Sequence, residues 1–570
     1  SVWFTVRWAD EPAGLRRDRW LVAAIYVIAL SSTNHQMGLL SLPVLGIYVL
    51  LTDWKVITRW QVLAACAAVF VVGISINYLY LPIRAAQYPP INEGEPVGFF
   101  SQALMDVLNR VQYQKPDEFS QRMSPFSAQL ANYWNYWTWQ WGRDLGGLRP
   151  LAVGLFTALG LGGLWTLLRR NLRGGLAAGA LFGTLTLLLI FYLNFKYGFS
   201  YRPGDPLITQ EMREVRDRDY FYIASFAFFG VLLAAGFAGI IRMVGDAMGP
   251  RVDEAKRYLV GTPVLVLALV PLFGNRVSAS RADETIARDF AIDILESVEP
   301  YGILITAGDN DTFPLWFAQE VLGIRRDVTL ANLSLMNTDW HLRQLRRREL
   351  PDFDPATAAP IWRPGSDRDS MPLIGAPAGG WQRPRDPVFN LSLAGLDSIP
   401  EIVRTPGAGV RFDSLQVTFG AEYLTRSDLA TVLLIRDNLG KRPIYFSWSD
   451  GNFPDQTLGL TPYLVSHGLV RKLMPAPVQP GGSIVESEAL GFVDVERSRA
   501  LMFGTYHPEA AARQRPYGWV DEPSSSILSL YYVVYGGMAP VLRELGDSTR
   551  ADRADRIAQD VLANMRMGPR

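Results

Sequence analysis

A series of apolar stretches crowded before Asn275 limits what this chain can fold into: Trp20 to Leu51, Trp60 to Leu81, Leu148 to Leu168, Gly175 to Leu193, Tyr220 to Ile241 and Tyr258 to Phe273. Most approach the roughly 20 residues that a helix needs to cross a bilayer, and all are too long for strands. Trp20 to Leu51 is long enough to cross twice if it breaks at the polar run Ser31 to Gln36, which brings the expected count to about seven spans. Glycines such as Gly160, Gly162, Gly163 and Gly179 let helix backbones approach closely in lipid.

Sidedness follows from the arginines, because short loops rich in Lys and Arg stay on the cytoplasmic face. Arg7 to Arg19, Arg169 to Arg173 and Arg242 to Arg257 are basic. With these inside, the segments after Leu81, Leu193 and Phe273 lie outside, and the C-terminal half is extracytoplasmic. Lys plus Arg (55) equals Asp plus Glu (55), so no global field favours nucleic acid. One cysteine, Cys66, and four histidines exclude a disulfide framework and a zinc site built within the chain.

Two outer loops carry candidate chemistry. Residues 82–149 are too long for a plain connector. They hold Arg84, the run Asn92-Glu93-Gly94-Glu95-Pro96 and the aromatic cluster Tyr133, Trp134, Tyr136, Trp137, Trp139 and Trp141, which suits an aromatic belt at the headgroups or, alternatively, sugar stacking. Residues 194–219 end in Glu214-Val-Arg216-Asp217-Arg218-Asp219. That pattern suits either a solvated salt-bridge ladder or an arginine clamp on a phosphate. His35, in the polar break, is either a hydrogen-bonded turn residue or a donor facing a phosphate.

Beyond Arg276 the pattern becomes α/β. Ala282 to Val298 is amphipathic, Ile303 to Thr306 and Val328 to Leu333 read as strands, and the turn Gly308-Asp309-Asn310-Asp311 opens a helix. Asn310 or Asp311 is expected as its N-cap, with carbohydrate hydroxyls or a hard cation as competing roles for the three polar residues. Thr431 to Arg436 and Pro443 to Trp448 read as further strands. Leu350 to Gly409 reads as an irregular insertion, and Ser526 to Met565 as two helices parted at Gly546. The expected architecture is an α-helical polytopic membrane domain over 1–275, an extracytoplasmic α/β domain over 276–525 and a C-terminal helical segment over 526–570.

Gly308-Asp-Asn-Asp-Thr-Phe-Pro-Leu-Trp316, Asn332 to Leu335, Asp339-Trp340, Glu214 to Tyr222, Asn92 to Pro96, Asn109 to Tyr113 and Arg442 to Phe446 together resemble one bacterial membrane-protein family, itself similar to animal transmembrane protein O-mannosyltransferases. The resemblance implies a glycosyltransferase of the GT-C superfamily. Such an enzyme takes a sugar, here mannose, from a polyprenyl-phosphate donor in the cytoplasmic membrane to an extracytoplasmic protein or glycan acceptor. From their positions in the loops and turns, Arg216, Arg218, Arg84 and His35 are expected near the donor phosphate, and Glu93, Glu95, Glu214, Asp217, Asp309, Asn310 and Asp311 as acceptor or sugar contacts. The general base is expected before Ser1, so the piece in hand is expected to be inactive alone. A divalent cation is the one cofactor left open. The rival expectation is a non-catalytic envelope protein whose spans are an anchor and whose soluble domain binds glycan or a protein.

Overall fold

The computed structural model describes residues 1–93, 95, 97–109, 121–249, 253–282, 284–363, 381–405, 407, 409–515 and 522–565. Gly94, Pro96, Arg110, Tyr113 and Arg251, all used in the sequence reading, lie outside the described residues. The chain divides into two compact units, Ser1–Arg84 with Val97–Ser280 and Ala85–Pro96 with Arg281–Arg570. Residues 85–96, read from sequence as part of a loop of the first half, thus group with the second unit.

The first unit is helical. Among the described residues five helices are long and apolar enough to cross a membrane: Trp60–Ala86, Arg143–Arg170, Leu172–Leu193, Asp219–Ala247 and Lys256–Gly274. Five replaces the expected seven, and the difference lies in Trp20 to Leu51. The helix Leu15–Asn34 opens Leu-Arg-Arg-Asp-Arg, so its apolar part starts at Trp20 and falls short of roughly 20 residues. Gln36–Thr52 is a shorter apolar helix. The break itself forms where the polar run predicts it, with His35 extended between the two.

Packing in this unit runs through small and aromatic residues. A Cβ added to Gly163 would sit 1.8 Å from Leu232 O, and one on Gly236 2.3 Å from Leu159 O, so the helices Arg149–Arg170 and Ile223–Ala247 touch backbone to backbone. The aromatic cluster is core rather than a headgroup belt. Tyr136, Trp137, Trp139 and Trp141 are buried on and just after the helix Phe126–Trp139, and Trp137 meets Phe229 edge to face at 4.5 Å. Trp134 alone of that series is exposed, at 51%. By contrast Leu63, Val71, Val72, Ile76 and Leu79 of Trp60–Ala86 are exposed, an apolar surface that water would not tolerate uncovered.

The second unit is built on a seven-stranded mixed sheet. Its strands are β1 (Ile303–Thr306), β2 (Thr329–Asn332), β7 (Ile444–Ser447), β8 (Leu464–His467), β9 (Val470–Leu473), β10 (Ile484–Ser487) and β11 (Gly491–Asp494), in spatial order β10-β11-β8-β9-β7-β1-β2. Two small hairpin-like pairs lie outside it: β3 (Ile402–Arg404) with β6 (Tyr423–Thr425), and β4 (Val410–Phe412) with β5 (Leu415–Val417). β1 is an interior strand, next to the edge strand β2, and runs parallel to both β2 and β7. All four of its residues are buried, as expected of a strand covered on both faces. Leu304 joins one core with Phe290, Ile294 and the tail residues Tyr531 and Tyr535, while Ile303 and Ile305 join the other with Leu342 and Leu434. The alternation of strand side chains thus divides the core into two layers. The tail helices Glu522–Glu544 and Ser548–Met565 close one of those layers, and Gly546 between them takes φ +81.

One segment departs in type from the sequence reading. Thr431 to Arg436, expected as a strand for its Thr-Val-Leu-Leu-Ile content, lies inside the helix Arg426–Asn438. Thr425 and Asp428 form a capping box at its start, and Ala430, Thr431, Leu434, Ile435 and Asn438 are buried at helical spacing. Capping and burial together outweigh a weak local preference. The expected helix from Ala282 begins at Ile286, and the Leu350 to Gly409 stretch holds the short helix Leu393–Asp397 and β3.

Candidate functional site

The loop 194–219 of the first unit folds back on itself. Glu214 N donates to Tyr197 O at 2.7 Å, and Tyr197 N to Met212 O at 3.2 Å. Arg213, buried, aims its guanidinium at the carbonyls of Gly198, Phe199, Tyr201 and Arg202. Asn194 sits in the left-handed region with φ +45 and ties this loop to Gln121 and Met123.

On that frame the candidate ladder has specific partners. Arg218 Nε donates to Glu214 Oε2 at 3.0 Å, and the other Glu214 oxygen accepts from Lys196 N at 3.0 Å. Asp217 accepts from Ser200 and from Tyr136 Oη, the latter at 3.1 Å. Tyr136 Oη in turn accepts from Arg218 N at 3.0 Å and from Asn132 Nδ2 at 3.1 Å. Burial, and then the charge of Asp217, pushes the Tyr136 phenol well above the ordinary tyrosine range. The half-buried Arg216 leaves its Nε without a hydrogen-bond partner. Arg218 is therefore engaged inside the loop, whereas Arg216 retains a donor.

The other two residues expected at the phosphate stand elsewhere in the same unit. His35 N-caps a 3-10 turn, its Nδ1 accepting from Met37 N at 3.2 Å, which is the geometry of the turn-residue reading. Arg84 is exposed near the end of Trp60–Ala86.

In the second unit, Asp309, Asn310 and Asp311 form the first turn of the helix Asp309–Glu320 rather than a turn before it, and the N-cap is Gly308 instead of Asn310 or Asp311. Gly308 offers no side chain, so Asp311 reaches back to Gly308 N at 3.2 Å and Ala307 N at 3.3 Å. The Asp311 carboxylate also accepts from Ser449 Oγ, in the turn just after β7. Asp450, beside it, is 6% exposed, and neither carboxylate oxygen meets a donor in good hydrogen-bond geometry, although the Ser447 amide lies near enough to favour the charge. Burial and then the nearby Asp311 push the Asp450 carboxyl well above its usual range. Asp309 points outward, exposed. Among the described residues no three His, Cys, Asp or Glu side chains converge to hold a metal ion.

Glu93 and Glu95 also part company. Glu93 is exposed, whereas the Glu95 side chain is 3% exposed and pairs with Arg347, with Arg343 at 4.0 Å. Burial raises the Glu95 pKa against the pull of the two arginines. Glu95 borders a cavity of about 260 Å³ that Tyr88, Glu320, Arg347 and Arg348 also line.

Residues 1–58 match the family model described as Protein O-mannosyl-transferase TMEM260 N-terminal domain, and residues 287–355 match the model described as TMEM260-associated domain 2. The chain is similar to TMEM260 proteins over these two stretches. The first TMEM260 match contains His35. The second runs from within Ile286–Glu296 through β1, Asp309–Glu320 and β2 to the residues just after Asp339–Arg347, and so contains Asp309, Asn310, Asp311 and Arg347. Together the matches support an O-mannosyltransferase-like family. No curated protein and no solved structure matches the chain.

Sequence reasoning missed Arg213, Asp450 and Arg347, and it read Tyr136 only as one ring of the aromatic cluster. Gln129, Asn132 and Tyr136 recur at helical spacing in an aromatic segment, a signal that could have singled out Tyr136 as a polar contact. Asp450 and Arg347 carry no local signal, since each takes its meaning from a residue more than a hundred positions away.

Proposed function

We propose that this protein is a membrane-embedded glycosyltransferase that moves a sugar, mannose, from a polyprenyl-phosphate carrier in the cytoplasmic membrane to a hydroxyl of an extracytoplasmic protein. The observation that carries the reading is the similarity of residues 1–58 to a protein O-mannosyl-transferase N-terminal domain. Five helices able to sit in lipid suit a donor whose carrier is itself a lipid.

Transfer from a phosphate carrier needs a base for the acceptor hydroxyl and cationic donors for the departing phosphate. Glu214 and Asp217 are poor bases, because their oxygens already accept from Lys196, Arg218, Ser200 and Tyr136. Their work is to position the loop. Arg216, with its unpartnered Nε, is the phosphate ligand in this reading. Arg218 stiffens the loop beside it through Glu214, and the α/β unit presents the acceptor outside the cell.

The test is transfer of radiolabelled mannose from polyprenyl-phosphate mannose by the complete protein in detergent, with and without a chelator. Retention of label in the lipid fraction, under conditions where the protein is folded and a full-length relative transfers, would leave the non-catalytic envelope protein as the better account.

A further inference from the structure

The cavity in the second unit lies between residues 85–96 and the helix Asp339–Arg347, and its wall is built rather than incidental. Gln344 holds the 85–96 segment by its backbone, accepting from Asn92 N at 2.8 Å and donating to Pro90 O at 2.5 Å. Asn92 Nδ2 closes the segment on Ala85 O at 3.0 Å. Tyr88 is held at φ +48, costly for a bulky residue and found where surrounding contacts over-determine the backbone. A wall fixed in this way loses little freedom when a ligand arrives.

The charge of the lining is balanced. Arg326, Arg347 and Arg348 face Glu95, Glu320 and Glu349, so neither a strongly anionic nor a strongly cationic ligand gains from the field. Hydrogen-bonding capacity remains. Glu320 stands 3.6 Å from both Arg326 and Arg348, beyond hydrogen-bond reach, while Arg348, which lines the cavity and donates through Nη2 to Gln319 Oε1 at 3.1 Å, keeps further N–H donors on its guanidinium. An acceptor and a donor placed side by side match a hydroxyl, which donates and accepts at once. Tyr88, Pro89, Pro90 and Pro351 supply apolar surface on the same cavity, suited to the C–H face of a ring.

We propose that this cavity binds a neutral sugar, one hexose ring whose hydroxyls bridge Glu320 and Arg348. At about 260 Å³ it lies just under the roughly 300–1,000 Å³ of drug-sized pockets, which limits the occupant to a single ring with any further residues in solvent. Binding here does not require the transfer reaction, so the site stands or falls separately from it.

The experiment is saturation-transfer difference NMR on the whole chain, in a detergent without a sugar headgroup, with methyl α-mannoside and methyl β-glucoside as probes. At least one glycoside should show transfer with a millimolar Kd, weakened about tenfold by Glu320→Gln and by Arg348→Met. The exposed Arg404→Ala on β3 should leave it unchanged. Glu320→Gln keeps the shape of the side chain, so it decides the question if Arg348→Met fails to fold. Absence of transfer from both glycosides to the wild type, equal transfer to wild type and Glu320→Gln, or binding of inorganic phosphate in place of the glycosides would each overturn the proposal.

Discussion

Tyr136 donates its phenol to Asp217 at 3.1 Å, joining the aromatic helix Phe126–Trp139 to the charged end of the loop 194–219. The same oxygen accepts from Arg218 N and Asn132 Nδ2, so one hydroxyl satisfies three polar groups in a buried corner. Removing it leaves all three short of a partner. Tyr136→Phe should therefore cost about 1–3 kcal/mol, read as a lower thermal midpoint in detergent. A midpoint equal to the wild type would mean that water replaces the phenol without loss.

Arg216 and Arg218 should separate in function. Arg218→Ala breaks the ion pair with Glu214 and should lower stability as well as transfer. Arg216→Ala removes a guanidinium with an unpartnered Nε, so transfer should fall about a hundredfold or more with the thermal midpoint unchanged. A near-normal rate for Arg216→Ala removes it from the donor site.

Gly163 and Gly162 are neighbours with opposite surroundings. A Cβ on Gly163 meets Leu232 O at 1.8 Å, whereas one on Gly162 meets nothing within 4 Å. Gly163→Ala should force the two helices apart at a cost of about 1–3 kcal/mol, and Gly162→Ala should be neutral or slightly stabilising. Equal melting temperatures for the two variants would show that these helices do not pack as described.

Asp293 and His507 tie the helix Ile286–Glu296 to the segment before the tail. His507 Nδ1 lies 2.9 Å from Asp293 Oδ1, and Tyr531 donates to Asp293 Oδ2 at 2.7 Å. Burial lifts the Asp293 carboxyl to about 6, and its hydrogen bond to Asp293 raises the His507 pKa. Both native groups hold protons more tightly than the unfolded chain. Stability from Asp293 falls as pH climbs from 3.8 to about 6, and that from His507 is full below 6.5 and lost as pH rises through its raised pKa. Relative to Asp293→Asn, the wild type should lose of order 1–3 kcal/mol between acidic and alkaline buffer, measured by urea unfolding. A slope of the opposite sign would mean that the pair titrates as an ordinary surface couple.

The apolar runs, the strands Ile303–Thr306 and Ile444–Ser447 and the two tail helices parted at Gly546 were legible in the amino-acid order, because a helix or strand writes its own period into a short window. Such a window also exposed the polar break at His35. It misled at Thr431 to Arg436, where β-branched residues look like a strand until Thr425 and Asp428 cap a helix and the sheet buries one side of it. Of the site residues, Glu214 and Arg218 stand at helical spacing and pair as the pattern allows. Asp309, Asn310 and Asp311 were recognisable as a helix start, although which residue caps it was not.

The order of residues by itself determined that one half of this protein is built of bilayer-length apolar helices and the other of a mixed α/β core, since hydrophobic period is local. Tertiary structure alone decided that Glu95 meets Arg347, that Asp311 meets Ser449 and that Asp217 meets Tyr136. Those pairs are made by chain segments folded together from far apart, and their energies depend on burial that no single segment possesses.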